Sequence, residues 1–99
     1  DHGESLGENG LYLHGLPYAM APREQTEVPM LFWASPGFYA ERARVDPQCF
    51  RRSAEHDASH DAIFHTLLPI FGLESPLYDE RLDLMGPCRG DRVTAVKNP

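Results

Sequence analysis

The clearest periodic pattern of apolar residues lies between positions 59 and 72. The apolar residues that recur there with the 3.6-residue period of a one-sided helix are Ile63, Phe64, Leu67, Leu68 and Phe71. Ser59 precedes them as a suitable N-cap, Asp61 complements the positive end of the helix dipole, and Gly72 provides a C-terminal stop. The pattern therefore predicts a helix, and Pro69 predicts a kink or an end near Leu68.

Two stretches upstream of this helix have other patterns. Residues 28–34 form a continuous apolar run that Ser35-Pro36-Gly37 ends, which is typical of a strand buried on both faces of a parallel sheet. Pro29 fits such a strand only near its first residue. Residues 38–58 are polar and mixed in sign, which predicts an excursion over the surface. Its only apolar anchors are Phe38, Tyr39, Val45 and Phe50.

The first 27 residues are rich in glycine and proline and predict a long ordered loop. Asn9-Gly10 predicts a turn because both residues tolerate a positive φ. Residues 11–13 are expected to form a short extended stretch. Near the end of the chain, residues 93–96 fit a short strand, and the tail otherwise has no clear core signal.

Composition narrows the class of protein. A chain of 99 residues has room for one domain, and 41% hydrophobic residues suffice for a folded core. The formal charge of -6 argues against a nucleic-acid partner, since phosphate binding needs clustered lysine and arginine. No apolar run approaches the roughly 18 residues of a membrane span. We expect a soluble, loop-rich globular piece of a longer protein.

The candidate chemistry lies in Asp1-His2-Gly3-Glu4. A carboxylate and an imidazole in adjacent positions suit a borderline cation such as zinc, and Gly3 permits the bend that brings both to one ion. Two ligands are fewer than a zinc site takes, so the others are expected from outside this chain. The alternative is an exposed polar terminus that binds no metal.

The motif extends into a longer resemblance. The sequence DHGESLGENGLYLHG at residues 1–15 resembles the phosphoethanolamine–lipid A transferases, which are zinc-dependent members of the alkaline phosphatase and sulfatase superfamily. The similarity continues through Pro17-Tyr18 and residues 28–30, and returns at residues 59–61 and 64–68. It covers residues 1–88, the C-terminal part of a sulfatase-like catalytic domain, and leaves residues 89–99 as a tail.

The resemblance implies a fold and a site. The fold is the C-terminal portion of an α/β, three-layer arrangement with a mostly parallel sheet. Asp1 and His2 match a pair of zinc ligands, His14 matches an active-site histidine, and Glu4 lies near the metal centre as a second catalytic candidate. The family's threonine nucleophile and a glutamate ligand lie upstream and have no counterpart in this chain.

The family's activity follows from the same resemblance. Such enzymes move phosphoethanolamine from phosphatidylethanolamine to lipid A or a related membrane glycan. They are anchored in the inner membrane by upstream helices, and their catalytic domain is periplasmic. The chain alone is expected to be inactive, because it lacks the nucleophile. The alternative is a non-catalytic, disulfide-stapled binding or accessory module with the same fold.

The only cysteines are Cys49 and Cys88. Two free thiols are expected in an intracellular protein, whereas a disulfide is expected in an oxidising compartment. The periplasmic location that the resemblance implies favours a disulfide between them.

Overall fold

The computed structural model describes residues 1–90. The chain divides into two compact units, Asp1–Trp33 and Ala34–Pro99. The predicted strand at residues 93–96 lies outside the described residues. Among the described residues, no helix has both the length and the apolar character needed to cross a membrane.

The first unit is built around a small β-hairpin. Strands β1 (Ser5–Leu6) and β2 (Tyr12–Leu13) are antiparallel, with Ser5 opposite Leu13 and Leu6 opposite Tyr12. A 3-10 turn, Glu8–Gly10, connects them, and a short helix α1 (Arg23–Thr26) follows. The extended stretch predicted at residues 11–13 is therefore confirmed at its last two positions.

The turn of the hairpin is the one that the sequence predicts. Asn9 has φ 55° and Gly10 has φ 75°, and both values lie in the left-handed region. Glu8 Oε2 accepts a hydrogen bond of 2.7 Å from the backbone N–H of Leu6, which holds the turn and keeps the pKa of the Glu8 carboxyl below its usual range.

The strand predicted at residues 28–34 is wrong. These residues are not in a strand, and the side chains of Leu31 and Trp33 are 95% and 86% exposed. A strand buried on both faces needs a partner along each edge, and within residues 1–90 the only sheet is the two-stranded hairpin. Pro29 also lacks one of the required N–H donors. The mostly parallel sheet of the expected α/β fold is thus not formed within these residues.

Between residues 34 and 90, the second unit contains three helical segments and one 3-10 turn. They are a π-helical segment Phe38–Ala43, helix α2 (Pro47–Ser53) and helix α3 (Asp61–Ile70), followed by a 3-10 turn Gly86–Cys88. Asp46 caps α2 by accepting a 2.9 Å hydrogen bond from the N–H of Gln48. Most residues of the predicted surface excursion at 38–58 are exposed, but the stretch is largely helical and contributes the buried residues Ala43 and Val45 to the core.

The core of the second unit explains that difference. Its buried residues are Ala43, Val45, Ile70, Met85 and Cys88, with Phe38, Tyr39, Cys49 and Phe50 packed around them. Much of this core comes from residues 38–50. The four apolar anchors that the sequence indicates in this stretch all belong to this core or pack against it.

Helix α3 confirms the predicted helix and its stop at Gly72, but it does not end near Leu68, and its buried face differs from the predicted one. Gly72 has φ 68°, and the N–H groups of Gly72 and Leu73 donate to the carbonyls of Pro69 and Leu68. This pair of bonds forms a Schellman motif after Ile70, so Pro69 lies inside the helix. The buried residues of the helix are Ala62, Thr66 and Ile70. Of the residues that the periodicity assigned to the core, Leu68 is half-buried. The other four are exposed: Ile63, Phe64, Leu67 and Phe71.

Hydrogen bonding by Thr66 accounts for the choice of face. The Thr66 hydroxyl donates to the carbonyl of Ala62 at 2.7 Å and accepts from the N–H of Leu84 at 3.0 Å. The segment that ends in buried Met85 therefore packs against the small-residue side of α3. The larger apolar side of the helix is left exposed.

Candidate metal centre

The hairpin brings two of the candidate catalytic residues together. Because Ser5 pairs with Leu13, the next residues outward, Glu4 and His14, stand opposite each other. His14 Nδ1 lies 3.1 and 3.2 Å from the two carboxylate oxygens of Glu4. A carboxylate oxygen accepts and cannot donate, so Nδ1 carries the proton and Nε2 of His14 is left free.

His2 adopts the same pattern with a different partner. Its Nδ1 lies 2.9 Å from the carbonyl oxygen of Gly3, which also accepts only, so Nε2 of His2 is free to bind an ion. The His2 and His14 rings lie 3.9 Å apart between centroids, with an angle of 31° between their planes. A histidine that donates one N–H to a carbonyl or carboxylate and keeps the other nitrogen free is the usual arrangement of a metal ligand.

Three of the four candidate site residues form one cluster. One potential ligand atom from each of His2, Glu4 and His14 lies within 4.8 Å of the others, and all three side chains are exposed. Two imidazoles and a carboxylate are the ligand types that zinc takes. Asp1 is outside this cluster, with its side chain 92% exposed, but its Oδ2 lies 3.9 Å from Nε2 of His2.

The backbone beneath the site is tightly packed against α1. The N–H of Gly3 donates a 2.9 Å hydrogen bond to the carbonyl of Gln25, and a Cβ atom on Gly3 would overlap the carbonyl oxygen of Glu24. From the sequence, Gly3 is expected to permit a bend in the chain. The structure gives it a second role, because only glycine allows this loop to approach α1 so closely.

A buried polar pair also supports the loop. Ser5 Oγ accepts a 2.9 Å hydrogen bond from Nε2 of Gln25, and both residues are buried. No sequence signal marks this pair, since the two residues are 20 positions apart and belong to no motif. Leu13, with φ 65°, adds a strained residue directly before His14.

The second unit holds the disulfide and a buried ion pair. Cys49 and Cys88 are joined by a disulfide that links α2 to the Gly86–Cys88 turn, as the resemblance implied. Beside it, Arg89 pairs with Asp83 at 3.1 Å, and the two side chains are 10% and 0% exposed. The hydroxyl of Tyr78 donates to Asp83 at 2.8 Å, and burial together with this bond raises the pKa of Tyr78 above its usual range.

The histidine of α3, His65, has a structural role. His65 Nδ1 accepts a 2.9 Å hydrogen bond from the N–H of Asp79, and its ring contacts those of Phe64 and Tyr78. His65 therefore joins α3 to the following segment and is not part of the metal cluster.

Comparison with known proteins identifies the family. The model of the Sulfatase family matches residues 1–73, so the chain belongs to the sulfatase family. It is 50% identical over 90 residues to phosphoethanolamine transferase EptA of Escherichia coli K12, which covers 90% of this chain and 16% of that protein. It is 42% identical over 81 residues to phosphatidylethanolamine transferase Mcr-1 of Escherichia coli, covering 82% and 13% of the two chains.

A solved structure shows the same fold. The soluble domain of lipooligosaccharide phosphoethanolamine transferase A from Neisseria meningitidis superimposes with a TM-score of 0.82 at 44% identity. The match covers 90% of this chain and 27% of that one. The described residues therefore adopt part of a sulfatase-like fold, and the chain spans only about a sixth of the length of the curated relatives.

Proposed function

We propose that this chain is part of a zinc-dependent transferase. The enzyme moves phosphoethanolamine from phosphatidylethanolamine to lipid A or a related membrane glycan. The observation that carries the proposal is the grouping of His2 with the hydrogen-bonded pair Glu4 and His14, since one nitrogen or oxygen atom of each residue lies within 4.8 Å of the others. It lies in a segment that matches the sulfatase family and that resembles proteins named as phosphoethanolamine transferases.

The residues present fit zinc by their chemistry. Asp1 and His2 would hold the ion through Oδ2 and Nε2, which lie 3.9 Å apart, and the remaining ligands would come from other parts of the protein. The bond from His2 Nδ1 to the Gly3 carbonyl fixes the tautomer that this role requires. When bound, zinc polarises phosphoryl oxygens and lowers the pKa of a hydroxyl nucleophile.

His14 and Glu4 would act on the phosphoryl group itself. Glu4 orients the His14 ring through Nδ1, so Nε2 is the atom at which His14 takes up or gives a proton. When it carries that proton, Nε2 donates a hydrogen bond to an oxygen of the transferred group and stabilises its negative charge. Glu4 is thus a positioning residue for His14.

The names of the relatives support the proposed substrates and location. EptA and Mcr-1 are named as phosphoethanolamine and phosphatidylethanolamine transferases, and a further relative is named as a Kdo(2)-lipid A phosphoethanolamine transferase. A second matching structure, of the Neisseria meningitidis enzyme, is described as an integral membrane protein. We propose a periplasmic domain held at the inner membrane by helices outside the described residues. The net charge of -6 repels anionic lipids, so attraction would come from the local site.

Lipid analysis tests the proposal. The full-length protein is expressed in cells that lack other phosphoethanolamine transferases, and the lipids are examined by mass spectrometry. Wild type should yield phosphoethanolamine-modified lipid A or glycan, and Asp1→Ala, His2→Ala and His14→Ala should abolish it. His56→Ala, which changes an exposed histidine of the second unit, is the matched control and should retain activity.

The same experiment distinguishes the alternative. A non-catalytic, disulfide-stapled module predicts no modified lipid from the wild-type protein and no loss of function in the site variants. The isolated 99-residue chain should in either case transfer nothing. Its zinc affinity by calorimetry should be weak, and nanomolar binding would contradict a shared ligand set.

A further inference from the structure

An open groove of about 570 Å³ lies beside the disulfide, formed by the second unit alone. Its walls come from the first half of the π-helical segment, from residues 44–46 after it, from α2 and from residues 87–90. The charged side chains that line it are Arg44, Asp46, Arg52 and Arg89. Three cations and one carboxylate on one surface stand out in a chain whose net charge is -6.

Two of these charges are already used within the protein. Arg89 is bound by Asp83 and donates to the carbonyl of Ala43 at 3.2 Å. The Asp46 carboxylate caps α2. Arg44 and Arg52 are exposed, and within residues 1–90 neither forms an ion pair. Within residues 1–90, the groove therefore presents two guanidinium groups whose donors have no protein acceptor.

The backbone of Arg44 gives an independent indication. Arg44 has φ 53° and ψ 45°, a left-handed conformation that favours glycine at the end of a helical segment. A large side chain in this conformation is strained, and such strain is typical of positions where the side chain has a function. Arg44 thus occupies a position at which the backbone alone would favour glycine.

The scaffold around the two arginines is rigid. The Cys49–Cys88 disulfide joins α2, which carries Arg52, to the Gly86–Cys88 turn. Val45, next to Arg44, pairs with Arg89 in an isolated β-bridge. Side chains held on constrained backbone lose less entropy when they bind a ligand.

From these features we propose that the groove binds a phosphate group through Arg44 and Arg52. The guanidinium fork matches the geometry of phosphate oxygens and favours doubly hydrogen-bonded contacts. Free inorganic phosphate and the phosphate of a lipid headgroup share this chemistry. The proposal does not rest on the transferase activity, because the groove contains none of the metal-cluster residues.

Calorimetric titration of the full-length protein tests this site. The probes are inorganic phosphate and a short-chain phosphatidylglycerol below its micelle concentration, and EDTA is present to remove phosphate binding at a metal. Binding of either probe is expected, and the tighter one identifies the source of the phosphate. Raising the ionic strength should weaken it.

Three variants decide whether the groove is responsible. Arg52→Ala should weaken binding about tenfold, the scale of one charge-assisted hydrogen bond. Arg44→Gly should weaken it similarly and leave the thermal midpoint unchanged or raised, since glycine relieves the strained φ. Arg51→Ala removes an equal charge from an exposed neighbour outside the groove and should change binding less than twofold.

Two results would overturn the proposal. If neither probe binds, the groove is not a phosphate site. If Arg51→Ala lowers the affinity as much as Arg44→Gly and Arg52→Ala, the attraction is diffuse and the groove has no particular role. Loss of transferase activity with phosphate binding intact would affect the proposed function only.

Discussion

Glu4 and His14 are ten residues apart in the chain and 3.1 Å apart in space. The antiparallel pairing of Ser5 with Leu13 produces this contact, so the register of a hairpin with two residues per strand determines the orientation of a candidate catalytic histidine. A shift of the register by one residue would separate the carboxylate from the ring.

Changing Glu4→Gln should therefore reduce turnover about 10- to 100-fold, the range for residues that orient an active-site histidine. The amide preserves the shape of the side chain but weakens its interaction with Nδ1. Transferase assays on the full-length protein would measure the change in kcat. Glu55→Gln, an exposed carboxylate of the second unit, should have no effect.

Gly3→Ala should disrupt the loop beneath the metal cluster. The new methyl group would overlap the carbonyl oxygen of Glu24, and backbone cannot move aside as a flexible side chain does. We expect a loss of about 1–3 kcal/mol in the free energy of unfolding, as for other overpacked sites, and lower zinc content. Urea unfolding and metal analysis would measure both.

The control for this substitution is Gly37→Ala. The nearest atom to a Cβ at Gly37 is 4.0 Å away, in the side chain of Ser35, so the methyl group has room. Equal losses of stability and zinc in the two variants would contradict the close-approach role of Gly3.

Asp83→Asn should destabilise the second unit strongly. Arg89 would remain buried without a charged partner, and breaking a buried ion pair from one side costs about 3–5 kcal/mol. Chemical denaturation would give the value. Asp79→Asn breaks the more exposed pair with Arg81 and should cost much less, so similar losses in the two variants would be the contrary result.

Asp79 should also contribute to acid sensitivity. Its hydrogen bonds from Arg81 lower the pKa of the carboxyl from 3.8 to about 2. The pKa of Asp79 is lower in the folded state than in the unfolded state. Ionised Asp79 therefore stabilises the folded protein fully above pH 3.8, and this stabilisation is lost as the pH falls toward 2. In unfolding titrations, Asp79→Asn should flatten stability over that interval, whereas Asp57→Asn, an exposed carboxylate without an ion pair within residues 1–90, should not.

The disulfide should stabilise the protein by about 4 kcal/mol through the chain entropy of the loop it closes. The two cysteines are 39 positions apart, which sets the size of that loop. Dithiothreitol should lower the unfolding midpoint of the wild type to that of Cys49→Ser/Cys88→Ser. A double variant that still responds to reductant would show that the effect lies elsewhere.

The sequence predicted features that depend on local conformation. Asn9 and Gly10 have the positive φ values of the expected turn, and α3 ends with the glycine that the pattern indicated. Each of these depends on the backbone preferences of one or two residues, which are visible in a single sequence.

Features that depend on distant partners were not predictable in the same way. The run at residues 28–34 is as apolar as a buried strand, but residues 1–90 provide no strand to pair with it. The buried face of α3 is chosen by Thr66 and its bond to Leu84, which lies 18 residues away. The pairing of Glu4 with His14 likewise depends on a hairpin register that no motif encodes.

The uncovered side of α3 affects the handling of the polypeptide in solution. An exposed apolar stripe runs along about two helical turns and consists of Ile63, Phe64, Leu67 and Phe71. Water in contact with this stripe is restricted in its orientations. When the isolated 99-residue chain is concentrated, the apolar stripes of neighbouring molecules should associate. A mild detergent should bind to this stripe and prevent aggregation of the chain.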